Sequence, residues 1–174
     1  TISGNTDFIG NGVSNTISLY THVSTILNGE YNFISGNLHQ SILGGKINRI
    51  TTNYAYNTII NGSGNTILSG QRAFIGNGTN NIISGQTAYS TILNGLGNII
   101  SNNFSTISGG LHNTIRGIRT AIINGRHNYI GPGTYDASIF GGRNNILNGS
   151  YSSISGFRNS ALGASAGMLA GRDN

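Results

Sequence analysis

The chain has no cysteine, no tryptophan, one proline and one methionine among 174 residues, and only 7% of its residues are charged. The missing cysteine removes disulfides, thiol nucleophiles and thiolate metal sites together. No run of about 18 apolar residues occurs, so no membrane insertion is expected. The chain starts without Met or a signal peptide, which reads as a processed chain or an excised segment. Acids are scarce too: Asp7, Glu30, Asp136 and Asp173 are scattered along the chain. The net charge of +5 comes mostly from Arg116, Arg119, Arg126, Arg143, Arg158 and Arg172. That basic density is too low to demand a polyanion, and a nucleic-acid partner is not expected.

What is present is a repeat. Low charge with modest hydrophobicity could mean a disordered polar tract, but disorder does not need an aliphatic residue at fixed intervals. The clearest copy is Thr91 to Ile100, T-I-L-N-G-L-G-N-I-I. Its leading aliphatic recurs at Ile9, Ile26, Ile42, Ile59, Ile75, Ile92, Ile107, Ile122, Ile139, Ile154 and, in a degraded last copy, Leu169. Eight residues after each of the first ten come Ile17, Ile34, Ile50, Ile67, Ile83, Ile100, Ile115, Ile130, Leu147 and Leu162. The units are 15–17 residues long, and all the variation falls in their second half.

Helices do not fit, because Gly and Asn recur too often and no apolar stripe of period 3.6 appears. Two short strands per unit do fit. Two residues before the leading aliphatic sits a small residue (Ser24, Asn57, Ala73, Ser90, Ser105, Ala137, Ser152), on the same strand face as the Ile. Two before the second aliphatic sits Asn: Asn15, Asn32, Asn48, Asn65, Asn81, Asn98, Asn113, Asn128 and Asn145, with Ser160 in the tenth copy. These asparagines are expected to form a buried ladder of stacked amides. The first turn carries Gly three after the leading Ile, usually preceded by Asn or Gly, both tolerant of positive φ.

One such pair of strands cannot bury its aliphatic face, so the units must stack. The expected fold is all-β: a narrow two-sheet parallel β-solenoid, or β-roll, of about 10.5 coils, near 50 Å long at the ~4.8 Å strand spacing. Residues 1–174 form a single repeat domain with no cap expected at either end. Outward positions beside the leading Ile carry Leu27, Leu43, Ile60, Leu93, Ile123 and Phe140. Those beside the second carry Phe33, Ile82, Ile99, Tyr129 and Ile146, and apolar stripes of this length mark an interface.

The tail Asn159 to Gly171, N-S-A-L-G-A-S-A-G-M-L-A-G, together with the recurring I-x-x-G and N-x-I phrases, resembles the β-roll head repeats of trimeric autotransporter adhesins. Related solenoid repeats occur in phage and viral fibres. The resemblance implies a left-handed roll, an extracellular or cell- or virion-surface location, and an adhesive or structural role.

Chemistry-bearing groups are sparse. G-G-K-I-N-R-I at Gly44 to Ile50 has Asn where a calcium β-roll needs an acid, and its spacing is one residue short. Asp7, Glu30 and Asp136 fall at different phases, too far apart for a glycosidase pair. His112 and His127 share a phase in successive coils, as solvent-exposed turn residues. Thr25, Thr58, Thr91 and Thr106 form part of an outward Thr column of the kind that binds ice, interrupted by Phe8, Ser41 and Phe74. Arg126, Arg143 and Arg158 share the phase four after the leading Ile, with Lys46 further along. The variable second turn carries Tyr20, Tyr54, Tyr56, Tyr89, Phe104, Tyr135 and Tyr151, with Arg72 and Arg119 at the phase of Tyr56, Tyr89, Phe104 and Tyr151. Those six residues are the candidate binding edge, for sugars or for a neighbouring rod. The sequence thus points to a non-enzymatic rod of a surface fibre or filament, partnered by itself and able to grow head-to-tail, with no catalytic residue, metal or cofactor. A glycan-binding or glycan-cleaving spike is the alternative, and ice binding the third reading.

Overall fold

The computed structural model describes residues 1–18, 21–36, 38–85 and 87–173. It is an all-β solenoid of about ten turns. An 11-stranded parallel sheet runs from Phe8–Ile9 to Gly167–Arg172, and a 10-stranded one from Thr16–Ile17 to Ser160–Ala161. Most strands are only two residues long, because each coil turns a corner as soon as one inward residue has been placed. Each leading Ile pairs with its copy in the next coil, Ile9 with Ile26 and Ile92 with Ile107. Hydrogen bonds run from coil to coil: the Phe8 N–H donates to the Ser24 carbonyl at 2.9 Å, and Gly10 to Ile26 at 3.0 Å.

The two sheets enclose one core. Ile17, Ile34, Ile50 and Ile67 in one column, and Ile26, Ile42, Ile59 and Ile75 in the other, have no exposed surface. Each buried Ile contributes about 2–3 kcal/mol of transfer free energy. The small residues two before the leading Ile are buried as well, Ser90, Ser105 and Asn57 fully so.

The tenth coil corrects the alignment. Leu147 pairs with Ala161, not Leu162, and Leu162 is 70% exposed. Ile154 pairs with Met168, not Leu169. The cause is a one-residue deletion in the first turn, where Gly156 stands two rather than three residues after Ile154. The buried asparagine of this coil is Asn159, and Ser160 faces outward.

Candidate functional site

Each coil has two edges. At the first, the glycine three after the leading Ile takes positive φ in nine coils, from 88° at Gly45 to 114° at Gly95. The preceding Asn does not share that conformation. Instead its Oδ1 accepts from the glycine N–H, at 2.7 Å for Asn11, Asn28 and Asn124. Two residues beyond the glycine a second left-handed residue follows: Ser14, Tyr31, Ile47, Gly64, Asn80, Gly97, His112, His127 and Asn144.

Asn15, Asn32, Asn48, Asn65, Asn81, Asn98, Asn113, Asn128 and Asn145 lie buried in one column behind this edge, and Asn159 extends it. Their amides bond mainly to backbone rather than to each other. Asn65 Nδ2 donates to the Asn61 carbonyl at 3.1 Å and to the Gly78 carbonyl of the next coil at 2.9 Å. Asn65 Oδ1 accepts from the Asn81 N–H at 3.0 Å. Direct amide-to-amide bonds occur at Asn81 to Asn65, 3.2 Å, and Asn145 to Asn128, 3.0 Å. Glycine is needed here for space as well as for φ: a Cβ on Gly62 would sit 2.4 Å from Asn65 Nδ2 and 2.1 Å from the Gly78 carbonyl oxygen.

The second edge absorbs the length variation. Three residues before each leading Ile another left-handed residue recurs: Thr6, Val23, His39, Tyr56, Arg72, Tyr89, Phe104, Arg119, Asp136 and Tyr151. Each such non-glycine residue costs about 1–2 kcal/mol locally. All six candidate binding residues, Tyr56, Arg72, Tyr89, Phe104, Arg119 and Tyr151, fall in this column.

Their rings are stacked along the rod. His39 lies 4.9 Å from Tyr56 with 6° between planes, and Tyr89 lies 5.3 Å from Phe104 with 9°. The Arg72 guanidinium sits between, 5.7 Å from the Tyr56 ring and 5.1 Å from that of Tyr89, and hydrogen-bonds the Tyr89 hydroxyl. Such contacts are worth about 0.5–1.5 kcal/mol each. From His39 to Phe104 the ring faces are turned toward neighbouring coils, leaving edges and hydroxyls for solvent, whereas a sugar stacks on a face. Arg119 and Asp136 form a bidentate pair, 2.7 and 2.8 Å. That pair holds the Asp136 carboxyl below its ordinary pKa and raises that of Arg119. Tyr151 is 66% exposed. His39 was absent from the sequence reading, although its place three before Ile42 is the shared phase. Tyr20 lies outside the described residues.

Tyr54 and Tyr135 flank this column. Beside it lies an open recess of mixed character, lined by Ser35, Gly36, Thr51, Thr52, Asn53, Tyr54, Leu68 and Ser69. Among the described residues, two buried oxygens on this edge have no hydrogen-bond partner, Gln40 Oε1 and Thr134 Oγ1.

On the first edge His112 and His127 stack at 5.3 Å. Packing, then Arg126, His112 and Arg143, push the His127 pKa down. Arg126 and Arg143 are bridge partners in successive coils, but Arg158 does not continue their column. Phe157 pairs with Arg143 instead, and Arg158 takes the left-handed position at φ 52°, a result of the same deletion. Lys46 is paired with Glu30 at 3.3 Å. Asp7 is engaged by the Ser24 N–H at 2.8 Å, far from any second carboxylate. Among the described residues no three His, Asp or Glu side chains converge on a metal-sized site, and no helix is long and apolar enough to cross a membrane. Neither a known family model nor a curated protein matches this chain.

Proposed function

We propose that the protein is a non-enzymatic structural rod, a segment of a surface fibre or filament that associates laterally with copies of itself. The observation that carries this reading is the row of large apolar side chains on the outer face of the 11-stranded sheet. Leu27, Leu43, Ile60, Leu93, Ile123 and Phe140 are 39–53% exposed, at one phase of the coil. A monomeric surface seldom keeps so long an apolar row, because burying it against a partner is favourable at about 25 cal/mol per Å². Phe8 and Phe74, at the adjacent outward phase, stand beside Gly10 and Gly76, so each ring covers a glycine of its own coil. The rest of the molecule suits a mechanical role: one small repeated cross-section, a continuous core, and carboxylates kept apart. Location at a cell or virion surface belongs to this reading, as does growth end to end.

Sedimentation and electron microscopy test it. The wild-type chain should form rods wider than one solenoid, in a concentration-dependent manner. A Leu27→Ser, Ile60→Ser, Leu93→Ser variant should remain folded yet sediment as a thin monomer. A wild-type monomer at high concentration would refute self-association.

A further inference from the structure

Charge is not shared evenly along the rod. Residues 1–100 hold three basic residues (Lys46, Arg49, Arg72) and two acids (Asp7, Glu30), a net of +1, while residues 101–174 hold six arginines and two acids, a net of +4. Within the second part Arg119 is neutralised by Asp136, and Arg172 pairs with Asp173 at 3.5 Å. Arg126, Arg143 and Arg158 are exposed, and among the described residues no carboxylate forms an ion pair with them.

These three occupy three consecutive coils on the first edge. Arg126 and Arg143 are bridge partners, so their Cα atoms are about one strand spacing, ~4.8 Å, apart. The Arg158 N–H donates to the Arg143 carbonyl at 2.9 Å, and its guanidinium lies 4.9 Å over the Phe157 ring. Ring contact holds that side chain along the rod surface. Earlier in the same column the charges alternate, Glu30 against Lys46. Setting like charges on adjacent coils is unfavourable for the rod alone, and an anionic ligand lying along the edge reverses the sign.

We propose that Arg126, Arg143 and Arg158 form a docking edge for a linear acidic polysaccharide, lying parallel to the rod axis and offering one anionic group per sugar. Three features select this occupant. Arg126 and Arg143 stand directly above one another along the rod axis, with Arg158 one residue to the side in the next coil, whereas the strands of a nucleic-acid duplex wind away from that axis. Single-stranded nucleic acid binding relies on exposed aromatic faces, and Phe157, the aromatic ring in this row, is covered by Arg158 and Arg172. A carboxylate- or sulfate-bearing sugar chain advances by a step similar to the coil spacing, and guanidinium pairs such groups bidentately. The site is independent of whether the rods associate.

The test measures binding of the whole chain to polygalacturonate, dextran sulfate, neutral dextran and a single-stranded oligonucleotide at about 0.15 M salt. The acidic polysaccharides should bind, neutral dextran should not, and affinity should fall with salt. An Arg126→Ser, Arg143→Ser, Arg158→Ser variant should bind about tenfold or more weakly while keeping a cooperative melt close to wild type, since all three side chains are exposed and only the Arg158 contact with the Phe157 ring is lost. Arg119→Ser, on the opposite edge, should bind as wild type. Equal loss in Arg119→Ser, unchanged binding in the triple variant, or tighter binding of the oligonucleotide than of either acidic polysaccharide would overturn the proposal.

Discussion

Both edges of the stack reverse the chain and both bury polar groups, yet they handle those groups in opposite ways. The first edge uses one residue type. From Asn15 to Asn159, each buried amide donates to two carbonyls, and each from Asn32 onward gives its own N–H to the amide oxygen of the preceding coil. Nine of these ten turns keep the same length. The second edge fills the equivalent buried position with Ser24, Gln40, Asn57, Ala73, Ser90, Ser105, Thr120, Ala137 and Ser152. Where these residues are polar, the pairing differs from coil to coil: Asn57 Oδ1 accepts from Ala73 N–H at 2.8 Å, and Ser90 Oγ donates to the Asn102 carbonyl at 2.8 Å. Among the described residues, the buried side-chain oxygens without a partner, Gln40 Oε1 and Thr134 Oγ1, both lie on this edge. A repeated solution to a repeated geometry fixes the coil, whereas a set of local solutions lets the length vary, and with it the surface.

The sharpest way to break that asymmetry is Gly95→Ala. Its φ of 114° suits no other residue, and the new Cβ would meet both Asn98 Nδ2 and the Gly110 carbonyl at 2.3 Å. A loss of about 3–5 kcal/mol is expected, read as a drop in thermal or denaturant midpoint. Asn81→Leu should cost somewhat less, about 2–3 kcal/mol, by orphaning the Asn98 N–H and removing one of the two hydrogen bonds to the Gly95 carbonyl in a tightly filled column. A midpoint equal to wild type would show that the column is dispensable. On the second edge, Tyr89→Ala removes one ring contact, one cation–π contact and the Arg72 hydrogen bond, all half-exposed. About 1 kcal/mol is expected, and a larger loss than for Asn81→Leu would invert the ranking of the two edges.

The smallest effect is electrostatic, and both edges contribute with the same sign. His127 has its pKa lowered, so its neutral form is favoured in the folded state. Stability is present above the ordinary imidazole value and declines as pH falls through the lowered one. Asp136 has a lowered carboxyl pKa through Arg119, so its contribution is present above the ordinary carboxylate range and disappears in stronger acid. Melts at about pH 8, 5.5 and 3 should show two small downward steps. His127→Asn should remove the upper step and Asp136→Asn the lower.

The sequence made the architecture legible wherever spacing was invariant. Eight residues from Ile92 to Ile100, with Gly95 and Asn98 between, leave little choice but strand, turn, strand. It misled at the tenth coil because Leu162 is an aliphatic at the expected distance, while the Gly156-to-Asn159 interval, the same three residues as Gly142 to Asn145, was the truer marker. The left-handed residues were hidden because Val23, Ile47 and Phe104 are residue types that avoid that conformation. At the candidate edge, shared phase brought Tyr56, Arg72, Tyr89 and Phe104 together on paper. Which way their faces turn depends on the rotamers that a ~4.8 Å stack permits, and no spacing encodes that.

Because the coil-to-coil hydrogen bonds lie along the rod axis, pulling on the two ends loads them one coil at a time rather than all at once. A detached coil of 15–17 residues yields about 50 Å of extended chain in exchange for about 4.8 Å of rod. Under tension the molecule is therefore a reel: stiff against bending, but able to lengthen roughly tenfold in steps, each dissipating the energy of one layer before the next is engaged.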